Sequence, residues 1–348
     1  MGGTTLGLAL LAVGLVLGGC TSARMAQVNA RLGLAPAAAP ALAPELAVRL
    51  DTLFREGAEA LARDDLDGAM ASWRQYAAQA PAELPRARDV RGYLTLLERE
   101  AAKRFARQAV AQEQAAGLLK TDRLHVALLP FRSKDATGGN ASRPFNRAIQ
   151  AMVATDLAQV PSLTILERSR MDFLLREMKL AESGLVDPAS AARAGRMLGA
   201  GSLVAGLVFN EDTRYDPYQS NYYTGRYTIS TAVSDVDRGT VVGTQEASGY
   251  QYNYFELQKK IVRGILDSLG VKDIPPAVDK IHTKNWDAYA RFTEGLRLLE
   301  EENFPAARQA FLAALNFDPD FALAEAAYLD TPEKQRNLAE VKAAVAAP

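Results

Sequence analysis

The sequence is poor in the residue types that build disulfides and metal centres. Among 348 residues there is one cysteine, Cys20, and there are two histidines, His125 and His282. A lone cysteine excludes an internal disulfide, and no Cys/His cluster offers a zinc site. Neither histidine lies near a nucleophile motif, so we expect structural roles for both. We therefore predict no metal, no cofactor and no catalytic residue; an enzyme with an unrecognised site is an alternative.

An excess of charge is also absent, since 40 basic residues face 41 acidic ones. This balance gives no general attraction to polyanions, so we expect no nucleic-acid partner. The apolar run that matters lies at residues 6–17 (LGLALLAVGLVL). It is too short for a transmembrane helix but typical of the apolar core of a secretory signal.

Leu17-Gly18-Gly19-Cys20 follows this run directly and resembles the lipobox of bacterial lipoproteins. The resemblance implies a signal peptide over residues 1–20, lipidation of Cys20 and cleavage before it. Thr21 and Ser22, in place of an aspartate, resemble the default outer-membrane address, with the body facing the periplasm. The leader lacks Lys and Arg, which a misassigned start codon would explain. An apolar helix with an incidental buried cysteine is the alternative.

Residues 21–48 form an Ala/Pro-rich linker in which repeated Ala-Pro, over residues 31–46, disfavours helix and favours extended backbone. Fully extended at about 3.1 Å per residue, residues 21–44 would reach roughly 70 Å. We therefore expect a spacer between a membrane anchor and the body.

Two segments of helical composition, residues 49–119 and 283–348, share one spacing of small, aromatic and proline residues. The first copy has Gly57, Ala69, Trp73, Tyr76 and Pro81, and the second has Gly295, Ala307, Phe311, Ala314 and Pro319. The spacing resembles the tetratricopeptide repeat, in which small residues let two helices approach and an aromatic fills the space between them. Two generic helical hairpins are the alternative. Because one repeat cannot bury both faces, we expect each to pack on the central domain or on another subunit.

Two loops have some features of ligand sites. Asp64–Gly68 begins like a calcium loop, but no glutamate closes it. Thr137–Asn140 lies between a predicted strand and a predicted helix, where phosphate loops occur, but it lacks the lysine. We assign a ligand to neither loop.

Residues 122–272 predict the order strand, helix, strand, helix, helix, three strands, helix. The first strand is LHVALLPF, residues 124–131, and a polar loop follows it. Apart from His125 it is a short apolar run ending in proline, which is typical of a strand buried on both faces. This order predicts an α/β sandwich, a mixed sheet with packed helices, flanked by the α-helical hairpins.

Three short motifs in this domain carry a family resemblance. They are Glu167-Arg168, Leu174-Leu175-x-Glu177 and Leu198-Gly199-Ala200. Together with "VALLPF" they are similar to the core of the CsgG family of outer-membrane lipoproteins, over about residues 124–270. The resemblance implies either an oligomeric exporter of surface fibres or a periplasmic assembly factor.

Residues 210–227 form a tyrosine-rich segment, NEDTRYDPYQSNYYTGRY. Its tyrosines are Tyr215, Tyr218, Tyr222, Tyr223 and Tyr227. Tyrosine supplies rigid contact area with a polar tip, so the segment is a candidate protein-interaction site. Alternatively, the rings cover the edge of a hairpin.

The sequence therefore favours a non-enzymatic lipoprotein that acts as a scaffold or assembly factor for curli-like or other surface structures, in contact with envelope or secretion proteins and possibly with further copies of itself. An oligomeric secretion channel is the alternative. Only residues 222–252 could supply a hairpin long enough to span a membrane. Its second strand places Gln245 and Glu246 at adjacent positions, so one would face lipid; we expect no channel.

Overall fold

The computed structural model describes residues 24–34, 41–112, 122–135, 143–179, 188–210 and 226–346. The helices before the sheet are α1 (24–31), α2 (Pro44–Ala62), α3 (Leu66–Gln79) and α4 (Pro85–Gln112). The central domain contains β1 (Asp122–Leu128), β2 (Arg132–Asp135), α5 (Arg143–Leu157), β3 (Thr164–Ile165), α6 (Arg168–Glu177), α7 (Pro188–Leu198), β4 (Ala200–Asn210), β5 (Arg226–Asp235), β6 (Thr240–Tyr250) and α8 (Tyr254–Leu269). The helices after it are α9 (Trp286–Glu300), α10 (Phe304–Phe317), α11 (Ala322–Asp330) and α12 (Leu338–Ala346).

The sheet is mixed, with the strand order β3-β1-β4-β5-β6. β1 pairs in parallel with β3 and with the first half of β4, where Val126 lies opposite Ser202. β5 pairs antiparallel with both β4 and β6, so β4 joins the parallel half of the sheet to the antiparallel half. Residues 126–128 of β1 and 200–204 of β4 are buried between the helices on both faces, as the apolar end of β1 predicts.

Helices cover both faces of the sheet. Side chains of α5 and α8 share one core with alternate residues of β1, β4 and β5, including Val126, Val204 and Ile229. Side chains of α6 and α7 form a second core with the intervening residues, including Ala127 and Leu203. This arrangement confirms the predicted fold class of an α/β sandwich flanked by helical segments.

The structure differs from the sequence prediction in the loop after β1. Residues 132–135 form β2, which pairs in parallel with the second half of β4. The sequence Arg-Ser-Lys-Asp has no apolar alternation, so periodicity could not indicate it. Pairing comes instead from the backbone, because β4 is long enough to accept two strands on one edge.

The two predicted hairpins form as helix pairs: α2 with α3, the N-terminal hairpin, and α9 with α10, the C-terminal hairpin. A Cβ placed on Gly57 would lie 2.2 Å from Nε1 of Trp73, and one on Gly295 would lie 2.3 Å from the Phe311 ring. In both pairs the glycine therefore lets an aromatic ring of the second helix approach the backbone of the first.

The two hairpins contribute to one core through shared helices, although about 200 residues separate them in sequence. Phe304 of the C-terminal hairpin and Val341 of α12 are buried in the same core as Leu61, Trp73 and Leu97. Both hairpins thus contribute buried side chains to one core inside this chain.

The expected spacer also differs from the structure. Residues 24–31 are helical, and Val28 and Leu32 are fully buried. Arg31 donates to both carboxylate oxygens of Glu325 and to the Pro319 carbonyl. The first part of the predicted linker therefore packs on the body, because its sequence ARMAQVNARL is amphipathic and precedes the Ala-Pro repeats.

Candidate functional sites at the junctions

The long helix α4 joins the turns of both hairpins. Asp64 and Glu302 occupy equivalent turn positions, each seven residues after the close-packed glycine, and both have left-handed backbone with φ of 62° and 60°. Arg104 donates to Asp64 at 2.6 Å, while Arg99 and Lys103 donate to Glu302 at 3.0 Å. Basic side chains of α4 therefore bind the turns of both hairpins and fix their positions relative to each other.

These contacts change the protonation behaviour of the two turn carboxylates. Hydrogen bonds from Arg104 and from Lys342 of α12 lower the pKa of Asp64. Burial pushes the pKa of Glu302 upward, but Lys103 and Arg99 together lower it below its usual range. The segment that begins like a calcium loop thus carries a carboxylate that is already engaged by two cations.

A second junction centres on Glu300, at the end of α9. Its carboxylate accepts from Arg147 of α5 at 2.6 Å and from Arg168 of α6. The side chains of Glu300, Arg147 and Arg168 are 22%, 30% and 28% exposed, so solvent screens these pairs only in part. One carboxylate of the C-terminal hairpin thereby fixes two helices of the central domain.

Arg168 also contacts Asp172, with 3.3 Å between Nε and Oδ2. Burial raises the pKa of the Asp172 carboxyl, and the positive charge of Arg168 opposes that rise. The preceding residue, Glu167, pairs with Arg170 and lies 3.5 Å from Arg74 of α3. The pair Glu167-Arg168 thus faces both flanking hairpins, with the stronger contact toward the C-terminal one.

A third junction lies where the chain leaves α8 for the C-terminal hairpin. Asp156 of α5 is fully buried and accepts from Gln258, Lys259 and His282 at 2.7, 2.6 and 2.9 Å. A buried carboxylate needs such partners, since burying an unpaired charge is costly. His282 therefore pins the connecting segment to the domain, which is a structural role.

Of the five predicted interaction tyrosines, Tyr227 alone lies in the described residues, and the prediction for it is wrong. Tyr227 is 6% exposed, and its ring contacts those of Tyr254 and Trp286 at centroid distances of 5.2 and 5.6 Å. Burial raises its pKa to about 12. Tyr227 is a core residue; Tyr215, Tyr218, Tyr222 and Tyr223 lie outside the described residues.

Several other predicted positions can also be placed. Cys20 and the loop Thr137–Asn140 lie outside the described residues, and His125 is half-buried in β1. Within the described ranges, no three His, Cys, Asp or Glu side chains are grouped as metal ligands. No described helix combines the length and apolar character required to cross a bilayer.

Sequence reasoning missed the junction residues Arg31, Asp156 and Glu300 because their partners lie more than 100 residues away. One signal was available for the turns. Aligning the two copies places Asp64 opposite Glu302, both acidic, as expected for paired sites that bind the same basic helix.

The sequence of residues 107–263 matches the family model described as "Curli production assembly/transport component CsgG". These residues form a CsgG-like domain. The match covers somewhat under half of the chain, from the end of α4 into α8. It includes the Glu167-Arg168 pair, which carried the resemblance and which contacts both hairpins.

Two solved structures show partial similarity. The C-terminal domain of LpoB from Salmonella enterica is 11% identical, covers 42% of this chain and 94% of its own, and has a TM-score of 0.26. Lipoprotein GNA1162 from Neisseria meningitidis is 13% identical, covers 42% of this chain and 99% of its own, and has a TM-score of 0.29. No curated protein matches the chain.

Proposed function

We propose that this protein is an outer-membrane lipoprotein, facing the periplasm, that serves as a non-enzymatic scaffold for the assembly or transport of curli-like surface structures. The CsgG-family match over residues 107–263 carries this proposal. The lipobox at Cys20 supports the location independently, because it is read from a segment outside the matched domain.

The helical segments support a scaffold role. We interpret them as tetratricopeptide-like hairpins, which α4 holds in one stack through Asp64 and Glu302 and which Glu300 joins to the CsgG-like domain. Such stacking gives an extended rigid surface, which suits binding to other envelope proteins. The surface is distinct from the sheet and could hold a partner while the domain contacts another.

The hairpin of β5 and β6 supports a scaffold over a channel. Tyr227, Ile229 and Val233, which alternate on one side of β5, are buried in the core with α8. A Cβ on Gly243 would lie 2.1 Å from Ser268, so α8 lies directly against β6. The apolar side of this hairpin is therefore occupied within the domain.

One experiment tests the proposal in a strain that lacks the gene. The strain is complemented with wild type or Cys20→Ala, and we measure fatty-acid labelling, membrane fractionation and the yield of surface-exposed fibre or adhesin protein. Wild type should be labelled, sediment with the outer membrane and restore the yield, whereas Cys20→Ala should do none of these. Equal surface yield with and without the gene would contradict the assembly role, and unlabelled wild type would contradict the anchor.

A further inference from the structure

Helix α1 begins four residues after Cys20 and is fixed to the body at several points. Val28 and Leu32 are fully buried, and Met25 packs against the same core. Arg31 forms a two-pronged pair with Glu325 of α11, with distances of 2.9 to 3.1 Å. A guanidinium that donates two hydrogen bonds to one carboxylate fixes the orientation of both groups and also stabilises the contact.

The end of α1 is held by the other group of helices. The carbonyl of Gly33 accepts from Arg88 of α4 at 3.0 Å, and Gly33 has φ of 65°, a conformation that suits glycine. The C-terminal end of α1 therefore contacts both α11, through Glu325, and α4, through Arg88. Its position is fixed by both parts.

This docking changes the length of the tether. From Cys20 to Arg24 the chain has four steps, which extend at most about 14 Å. The Ala-Pro repeats at residues 35–40 follow α1 and connect two docked helices, α1 and α2. They cannot add to the distance between an anchor at Cys20 and the body while α1 stays docked.

From this geometry we infer that the face of the body carrying α1 and α11 lies against the lipid bilayer, on a tether of about 14 Å rather than about 70 Å. This inference rests on the proposed lipidation of Cys20. The partner of the face is the membrane surface itself. The exposed cation Arg24 then lies at headgroup depth, where phosphates are available to it.

Förster resonance energy transfer between a donor dye on the protein and an acceptor dye on the lipid headgroups tests the tether length. Full-length lipidated protein carrying Ala326→Cys is reconstituted into phosphatidylethanolamine/phosphatidylglycerol vesicles that contain a headgroup-attached acceptor. Ala326 is exposed on α11, and acylation of Cys20 leaves the new cysteine as the single reactive thiol for the donor. We expect efficient transfer from this position.

The decisive comparison inserts one flexible linker of twenty Gly/Ser residues at two places. Such a linker has an end-to-end distance of about 25 Å. Between Ala23 and Arg24 it lengthens the tether, and transfer should fall clearly. Between Ala38 and Ala39 it lies after the docked helix, and transfer should match the parent protein.

Equal loss of transfer from both insertions would show that α1 is not docked and would overturn the inference, as would low transfer in the parent protein while it is vesicle-bound. Failure of the proposed anchor gives a different result. In that case the parent protein would take up no fatty acid and would not float with the vesicles. This result would contradict both the lipidation of Cys20 and the short tether that depends on it.

Discussion

Glycine and aromatic residues set the geometry of the two hairpins at the scale of single residues. The sequence shows a glycine followed sixteen residues later by Trp73 or Phe311, and the structure places each ring on its glycine. Spacing could predict this contact because it depends only on helix periodicity and one tight turn.

Gly295→Ala should therefore destabilise the protein, because the added Cβ would overlap the Phe311 ring. Overpacking of this kind costs about 1 to 3 kcal/mol. Chemical unfolding measures it, with Phe311→Leu and the double variant as a cycle. The alanine should cost less beside leucine than beside phenylalanine; an equal cost in both backgrounds would contradict the contact.

Glu300 and Glu301 are adjacent residues with different partners. Glu300 binds Arg147 and Arg168 across two elements, whereas Glu301 is 54% exposed and binds Arg297 one turn away. Glu300→Gln should lower the free energy of unfolding by about 1 to 2 kcal/mol. Glu301→Gln, the matched control, should change it by less than about 0.5 kcal/mol. Equal effects of the two variants on urea unfolding would show that the Glu300 junction does not join the parts.

At the scale of elements, apolar patterning predicted most helices and strands of the central domain, since its strands are buried and its helices amphipathic. The pattern does not indicate β2, whose polar residues pair through the backbone, or α1, which directly precedes the Ala-Pro segment in the predicted linker. The junctions of α4 with Asp64 and Glu302 could not be read from order along the chain, because they join elements about 40 and 200 residues apart.

The shared core of the two hairpins leads to a prediction about fragments. A fragment of residues 283–346 leaves Phe304 and Val341 without the α2–α4 side chains that bury them. We expect it to be largely unfolded alone and to gain helix when residues 41–112 are added. The helical signal of the mixture in far-UV circular dichroism should exceed the sum of the signals of the two separate fragments. A cooperative thermal transition in residues 283–346 alone would contradict the shared core.

At the scale of the whole molecule, the CsgG-like domain and both hairpins are joined through three ionic junctions, at α4, Glu300 and Asp156. The N-terminal helix α1 packs on the same body. This organisation suits a protein that holds partners at a membrane surface. A channel would instead need its subunits to supply membrane-spanning hairpins.

The measurement that most directly tests the scaffold account is planar-bilayer recording of the purified, lipidated protein. We expect no stable conductance, because the apolar side of β5 is buried against α8. The β6 residues that pair with β5 include the polar Gln245 and Glu246. A variant lacking residues 212–252 serves as the comparison. Stable, large conductance steps that vanish in this variant would contradict the scaffold and identify the protein as a channel.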